Sequence, residues 1–154
     1  MNIIYIPYSS DYFNEVHELI LLTIDAINSK DYSLETIKIM KAWQNEDSLK
    51  RKFSEGAYYL ALDDSKVIGI GGLVKDEVST MFVHPSYNRL GIGTKILGLI
   101  ESKAIEKGIK KLSLGSTISA HGFYVKCGYK TIKRAIHKLD GNDFDAYEME
   151  KYLT

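Results

Sequence analysis

The chain has 154 residues, 45% hydrophobic and 26% charged, which suits one globular domain (1–154) with a substantial core. Twenty basic and twenty acidic side chains cancel, so no net field draws the protein to nucleic acid or an anionic membrane. The lone cysteine, Cys127, excludes an internal disulfide and a multi-cysteine zinc cluster. The opening segment lacks a basic region followed by a long apolar stretch, and "LILL" is too short to cross a bilayer. A cytoplasmic protein is therefore expected.

In chain order, "NIIYIP" reads as a first strand. Ser9, Ser10 and Asp11 offer N-cap chemistry to a helix with Val16, Leu19, Ile20, Ile24 and Ile27 on one face. Ser33 suits the cap of a second helix, "LETIKIMKAW", and "DSLKRKF" reads as a short third. The period then drops to two. "AYYLAL", "VIGIGGLV" and "EVSTMFVH" read as three strands joined by turns at "DDSK" and near Lys75-Asp76. The loop "PSYNRLG" leads into a helix with an apolar stripe of Ile96, Leu97, Ile100 and Ala104, stopped at Gly108. A strand "KKLSLGS", a short helix "SAHGFYVKC" ended by Gly128, and a final hairpin about "DGND" complete the chain. This mixed order predicts an α/β (α+β) fold, a central sheet with helices packed on its faces.

The stretch "PSYNRLGIGT" puts Gly91 and Gly93 where a loop becomes a helix. The first N–H groups of a helix lack intrahelical partners and the dipole is positive there, so a glycine-bearing approach admits phosphate oxygens. A tight turn with no ligand is the alternative reading of the same glycines. A P-loop is excluded because Thr94-Lys95, not Lys-Ser/Thr, follow Gly93. A dinucleotide fingerprint is excluded because Ile96 stands where a third small residue is needed.

Further along, "AHGFYVKCGY" at 120–129 follows the strand "KKLSLGS". Together with "MFVHP" and "NRLGIG" it resembles the GNAT acyltransferase superfamily. That family has Q/R-x-x-G-x-G/A at a helix start and A-x-x-F-Y-x-x-x-G-F/Y about thirty residues later. The resemblance covers residues from about 57 to 138, with one departure, Asn88 where the family usually carries Gln or Arg.

The resemblance implies a mostly antiparallel sheet splayed at a β-bulge and an acetyl-CoA cosubstrate, with no metal. The backbone of Phe82 and Val83 would pair with the pantetheine arm like an added strand, and an N–H of that strand would face the thioester oxygen. Arg89, Leu90, Gly91, Ile92, Gly93 and Thr94 would surround the diphosphate. Tyr124 matches the tyrosine beside the CoA sulfur, where its hydroxyl assists the leaving thiolate; packing is its structural alternative. An ungapped count back from Gly91 places Glu77 where the histone-acetylating branch carries its glutamate base, with Glu55 a substitute. The reaction implied is transfer of an acetyl group to a primary amine of a small molecule or peptide in a ternary complex. The alternative is a non-catalytic acyl-CoA-binding or interaction module, and a homodimer stays open.

Other chemistry is weaker. Cys127, at a helix C-terminus where the dipole disfavours a thiolate, reads as an inert thiol. His17, His84, His121 and His137 lack metal-ligand spacing. Tyr12, Tyr32, Trp43, Tyr58 and Tyr59 lie in the segments that build the family's acceptor pocket, where packing is their default role.

Overall fold

The structure, a computed structural model, describes residues 1–139 and 141–154. Its elements run β1 (Ile3–Pro7), α1 (Phe13–Ala26), α2 (Leu34–Trp43), α3 (Glu46–Glu55), β2 (Ala57–Asp63), β3 (Lys66–Val74), β4 (Glu77–Val83), α4 (Ile92–Glu106), β5 (Lys111–Ser116), α5 (His121–Lys126), β6 (Lys130–Leu139) and β7 (Asn142–Tyr152). The sequence-predicted order stands. The turn "DGND" contains residue 140 and so falls partly outside the described residues, as does the His137 side chain.

Caps fix the helix starts. Ser33 Oγ accepts from Thr36 N at 3.1 Å to open α2, and Asn45 Oδ1 accepts from Ser48 N at 2.9 Å to open α3. Ser9 caps not α1 itself but a single 3-10 turn, Ser10–Tyr12, that feeds it. That turn is why α1 begins later than the serines suggest.

The seven strands form one sheet in the order β1-β2-β3-β4-β5-β7-β6. All neighbours are antiparallel except β4 and β5, which run parallel and pair only at Glu77 and Ser113. Helices α1–α3 cover one face. Val16, Ile20 and Ile24 of α1 and Leu49 of α3 are fully buried there with Leu60 and Ile70. The other face carries α4, whose Ile92, Ile96, Leu97 and Ile100 are buried against Ile68, Leu112 and Leu114. Each such side chain contributes roughly 1.5–3 kcal/mol of burial.

The "GIGG" run in β3 lets both layers approach. A Cβ on Gly71 would meet Met81 Sδ at 2.1 Å, and one on Gly72 would meet the Tyr58 ring at 2.2 Å. Opposite Gly71, β4 carries an extra residue. The register steps from Gly72↔Ser79 to Ile70↔Phe82, and Thr80 takes φ +55°. This β-bulge bends β4 away from β5 just past their single point of pairing.

Candidate active site

Because β4 and β5 pair only at one end, the rest of the β4 edge opens into a cleft of about 770 Å³. One wall is β4 from Val78 to Val83, and the other is the end of β5 with the following segment, from Gly115 to Ala120. The α4 N-terminus closes one end, and the C-terminal parts of α1 and α2 form the other.

Backbone direction along β4 follows from one bond. His84 N donates to Ile68 O at 2.8 Å on the β3 side. In an antiparallel ladder successive residues alternate sides, so Phe82 also turns its backbone groups to β3, while Val83 and Met81 turn theirs to the gap. Val83 therefore turns its backbone groups to the gap. Met81, not Phe82, is its companion on the gap side, and Phe82 reaches the cleft as a lining residue.

At the α4 start, Gly91 takes φ +76° as N-cap, and no side chain caps the helix. That left-handed conformation favours glycine, and a Cβ there would meet nothing within 4 Å. Gly91 O accepts the first helical bond, from Lys95 N at 3.0 Å. The N–H groups of Ile92, Gly93 and Thr94 have no protein acceptor among the described residues. Gly93 has a different reason to be glycine, since a Cβ would sit 3.1 Å from the Phe123 ring. Arg89, exposed and itself at positive φ, precedes this open donor set and lines the cleft. Leu90 is 47% exposed and is not a lining residue.

Tyr124 is 6% exposed and lines the cleft from α5, where its ring packs edge-on against Phe123 and Tyr129. Its hydroxyl has no protein hydrogen-bond partner among the described residues. Burial first, and the neighbouring Cys127 second, push its phenol well above the ordinary tyrosine value. It therefore stays protonated through the physiological range and keeps its hydroxyl proton available to donate.

Cys127 is likewise pushed up by burial, against an opposing hydrogen bond with Thr94, which leaves a poor nucleophile. Glu77 is exposed at the paired end of β4 and is not a lining residue; Glu55 is also exposed and outside the cleft. The structure brings Tyr124, Val83 and the α4 loop together, and leaves Glu77 apart from them.

These residues suit a long anionic thioester cosubstrate. The open helix donors match a diphosphate, the unpaired β4 edge matches amide groups, and Tyr124 stands inside the gap. The "Acetyltransferase (GNAT) domain" family model matches residues 28–153. The chain belongs to the GNAT family.

Relatives agree. The uncharacterized N-acetyltransferase YafP of Escherichia coli K12 is 24% identical over 144 residues, covering 92% of this chain and 91% of YafP. The crystal structure of a GCN5-related N-acetyltransferase from Rhodopseudomonas palustris superposes with a TM-score of 0.91 at 22% identity, over 99% of this chain and 97% of that one. PaiA N-acetyltransferase from Thermoplasma acidophilum, solved with coenzyme A, gives 0.78 at 22% identity over 99% of both chains. At these identities the two structures establish the GNAT-like fold.

Within that fold the remaining sequence candidates find structural places. His84 Nδ1 accepts from Ser86 N at 3.1 Å and holds the turn after β4. His121 bonds Thr131 at 2.7 Å and stacks on Tyr147, away from the cleft. Tyr32 donates to Asp145 O at 2.6 Å and accepts from Ile118 N at 3.1 Å, tying β7 to the segment after β5. Tyr58 donates to Ser79 at 2.9 Å from the core. Of the five aromatics in the acceptor segments, Trp43 alone lines the cleft.

Asn28, Gln44, Lys52 and Phe144 also line it and carry no local signal. They come from four separate elements, and only their meeting in space marks them. Among the described residues no group of His, Cys, Asp and Glu has the arrangement to hold a metal, and no helix is long and apolar enough to span a membrane.

Proposed function

We propose that this GNAT protein acetylates a primary amine of a small molecule or peptide, using acetyl-CoA in a ternary complex. The observation that carries the reading is the continuity of the cleft. It runs from the open donors of α4, along the unpaired β4 edge and past Tyr124, to a pocket between α1, α2 and β7. Acetyl-CoA supplies an activated acyl group. The chain's own residues hold and orient it: the N–H groups of Ile92, Gly93 and Thr94 with Arg89 at the diphosphate, and Met81 and Val83 at the amides.

In the transfer, the amine nitrogen bonds to the acetyl carbon, the carbon–sulfur bond breaks, and the amine loses one proton while the sulfur gains one. Backbone N–H groups of the β4 edge face the developing oxygen charge. Tyr124 donates its hydroxyl hydrogen bond to the departing sulfur. With its phenol pushed up by burial, it holds that proton tightly and stabilises the thiolate more by hydrogen bonding than by complete transfer.

The amine must be neutral to attack, and among the described residues none that lines the cleft is a carboxylate or histidine. Glu77 in the role of base therefore requires a water relay along β4. The same absence favours the second reading, an acyl-CoA-binding module without turnover. Thermal unfolding with and without acetyl-CoA, followed by thiol detection of CoA release over an amine panel, separates the readings. Stabilisation with release supports the enzyme, stabilisation without release supports the module, and no stabilisation removes both.

A further inference from the structure

Charge is distributed unevenly in the cleft. Among the described residues no Asp or Glu lines it, but three cations do: Arg89 before α4, Lys126 on α5 and Lys52 on α3. None of the three joins an ion pair among the described residues. Lys50, two residues before Lys52, does pair, with Glu46 at 3.1 Å. Arg89 and Lys126 belong to the face of the sheet that carries α4. Lys52 stands on the opposite face, on the helix whose Leu49 and Phe53 pack into the α1–α3 core. It is thus a half-buried, unpaired ammonium on the acceptor side of the cleft.

Two carboxamides accompany it. Asn28 is only 5% exposed, lines the cleft, and its side chain has no hydrogen-bond partner among the described residues. The Gln44 side-chain oxygen is buried and unpartnered as well. Buried polar groups ordinarily find partners, so a pair left open inside a pocket awaits a polar ligand. The wall beside them is aromatic. Trp43 packs edge-on to Phe144 at 6.1 Å, and Phe144 stacks on Tyr32 at 5.0 Å.

From these residues we infer that the acceptor is an amine that also carries a carboxylate, on an aromatic or branched apolar body. This rests on the acetyl-transfer reading above. The carboxylate pairs with Lys52 and takes a hydrogen bond from the Asn28 side-chain N–H, the unpartnered Gln44 oxygen accepts from an N–H of the ligand, and the body lies against Trp43 and Phe144. A polycation such as a polyamine or aminoglycoside meets only like charge here, with no acidic group to compensate it. The product keeps the carboxylate and exchanges its ammonium for a neutral amide, so the ligand leaves more acidic than it entered.

The test uses matched probes: tyrosine against tyramine, phenylalanine against phenethylamine, and spermidine and kanamycin as polycations. Rates come from CoA release, and calorimetry on the CoA-loaded protein reads binding where turnover is slow. The amino acids are expected to exceed their decarboxylated partners by about tenfold or more in kcat/KM or affinity, the worth of one charge-assisted pair. Lys52→Gln should erase that difference mainly through KM, Lys52→Arg should keep it, and Lys52→Glu should invert it toward the amines. Equal use of both members of each pair, preference for a polycation, or failure of every carboxylate-bearing probe to bind the CoA-loaded protein overturns the inference. Acetyl-CoA stabilisation is read separately in the same samples. Its loss would point instead to failure of the acetyl-transfer reading.

Discussion

The two ends of the cleft are built from different materials. The α4 end is made of main chain: open N–H groups at a helix start, a glycine at positive φ, and a strand edge turned to a gap. The α1–α2 end is made of side chains: Asn28, Trp43, Gln44, Lys52 and Phe144. Main-chain donors recognise any ligand with the same phosphate and amide spacing, whatever side chains surround them. Side chains recognise one particular partner and change when the partner does. The contrast teaches that one molecule can hold a common cosubstrate by geometry and a private acceptor by chemistry.

The contrast can be tested most directly at Tyr124, the side chain proposed above to act beside the main-chain half. Tyr124→Phe keeps the ring and its packing. It is expected to lower kcat and kcat/KM together by at least ~10²-fold, with acetyl-CoA affinity unchanged, because the lost hydrogen bond exists mainly in the transition state. Steady-state kinetics under chemistry-limited conditions decide it; full activity removes Tyr124 from the mechanism.

Next comes Gly91→Val. Saturation at a hundredfold the dissociation constant should add about 2.7 kcal/mol to the stability of the native protein. The variant should lose most of that gain, since a β-branched residue resists the φ of +76° that aims the α4 donors. Melting curves with and without acetyl-CoA measure it, and an undiminished shift would show that the main chain is not the grip.

A further test lies at high pH. Tyr124 and Tyr129 are buried on the α4 face, both pushed above the ordinary phenol value, first by burial. A folded-state value above the unfolded one means the stabilisation is complete below about pH 10 and is lost as pH rises beyond it. For Tyr124 the loss should approach roughly 1.4 kcal/mol per pH unit above ~10. Denaturant unfolding between pH 9 and 11 should therefore show a decline that Tyr124→Phe lessens; identical slopes would count against the shift.

The smallest expected effect is at Glu77. It is exposed and separated from the cleft lining, so Glu77→Gln should reduce turnover by less than about tenfold, below the range for a base in direct contact. A loss near a thousandfold would place an acidic group in the reaction that the cleft wall does not contain.

Much of the main-chain half was readable in the sequence, because its signals are local. Gly91 and Gly93 flank Ile92 in one short stretch, and the run from Ala120 to Tyr129 carries Tyr124 on one short helix. Strand and helix order followed from the change of period near Ala57. The insertion of β7 between β5 and β6 was not readable, since sheet order depends on long-range pairing that no single segment encodes. A bulge on this strand was expected from the resemblance, but its placement at Thr80, answering Gly71 on a neighbouring strand, was not. Asn28, Gln44, Lys52 and Phe144 each look like ordinary surface or core residues until helix ends and a strand bring them to one pocket.

The single pairing between β4 and β5 has a consequence for exchange with solvent. Two half-sheets, β1–β4 and β5–β7–β6, meet at one register point, so the amide protons of Met81 and Val83 face the gap without a neighbouring strand to shield them. In heavy water they should exchange quickly in the free protein, while those of Phe82 and His84, turned to β3, exchange slowly. A cosubstrate arm laid along the β4 edge would reverse this for the first pair alone. The alternating pattern of slowed residues, every second position along one strand, would then report where the arm lies and which of its amides point inward.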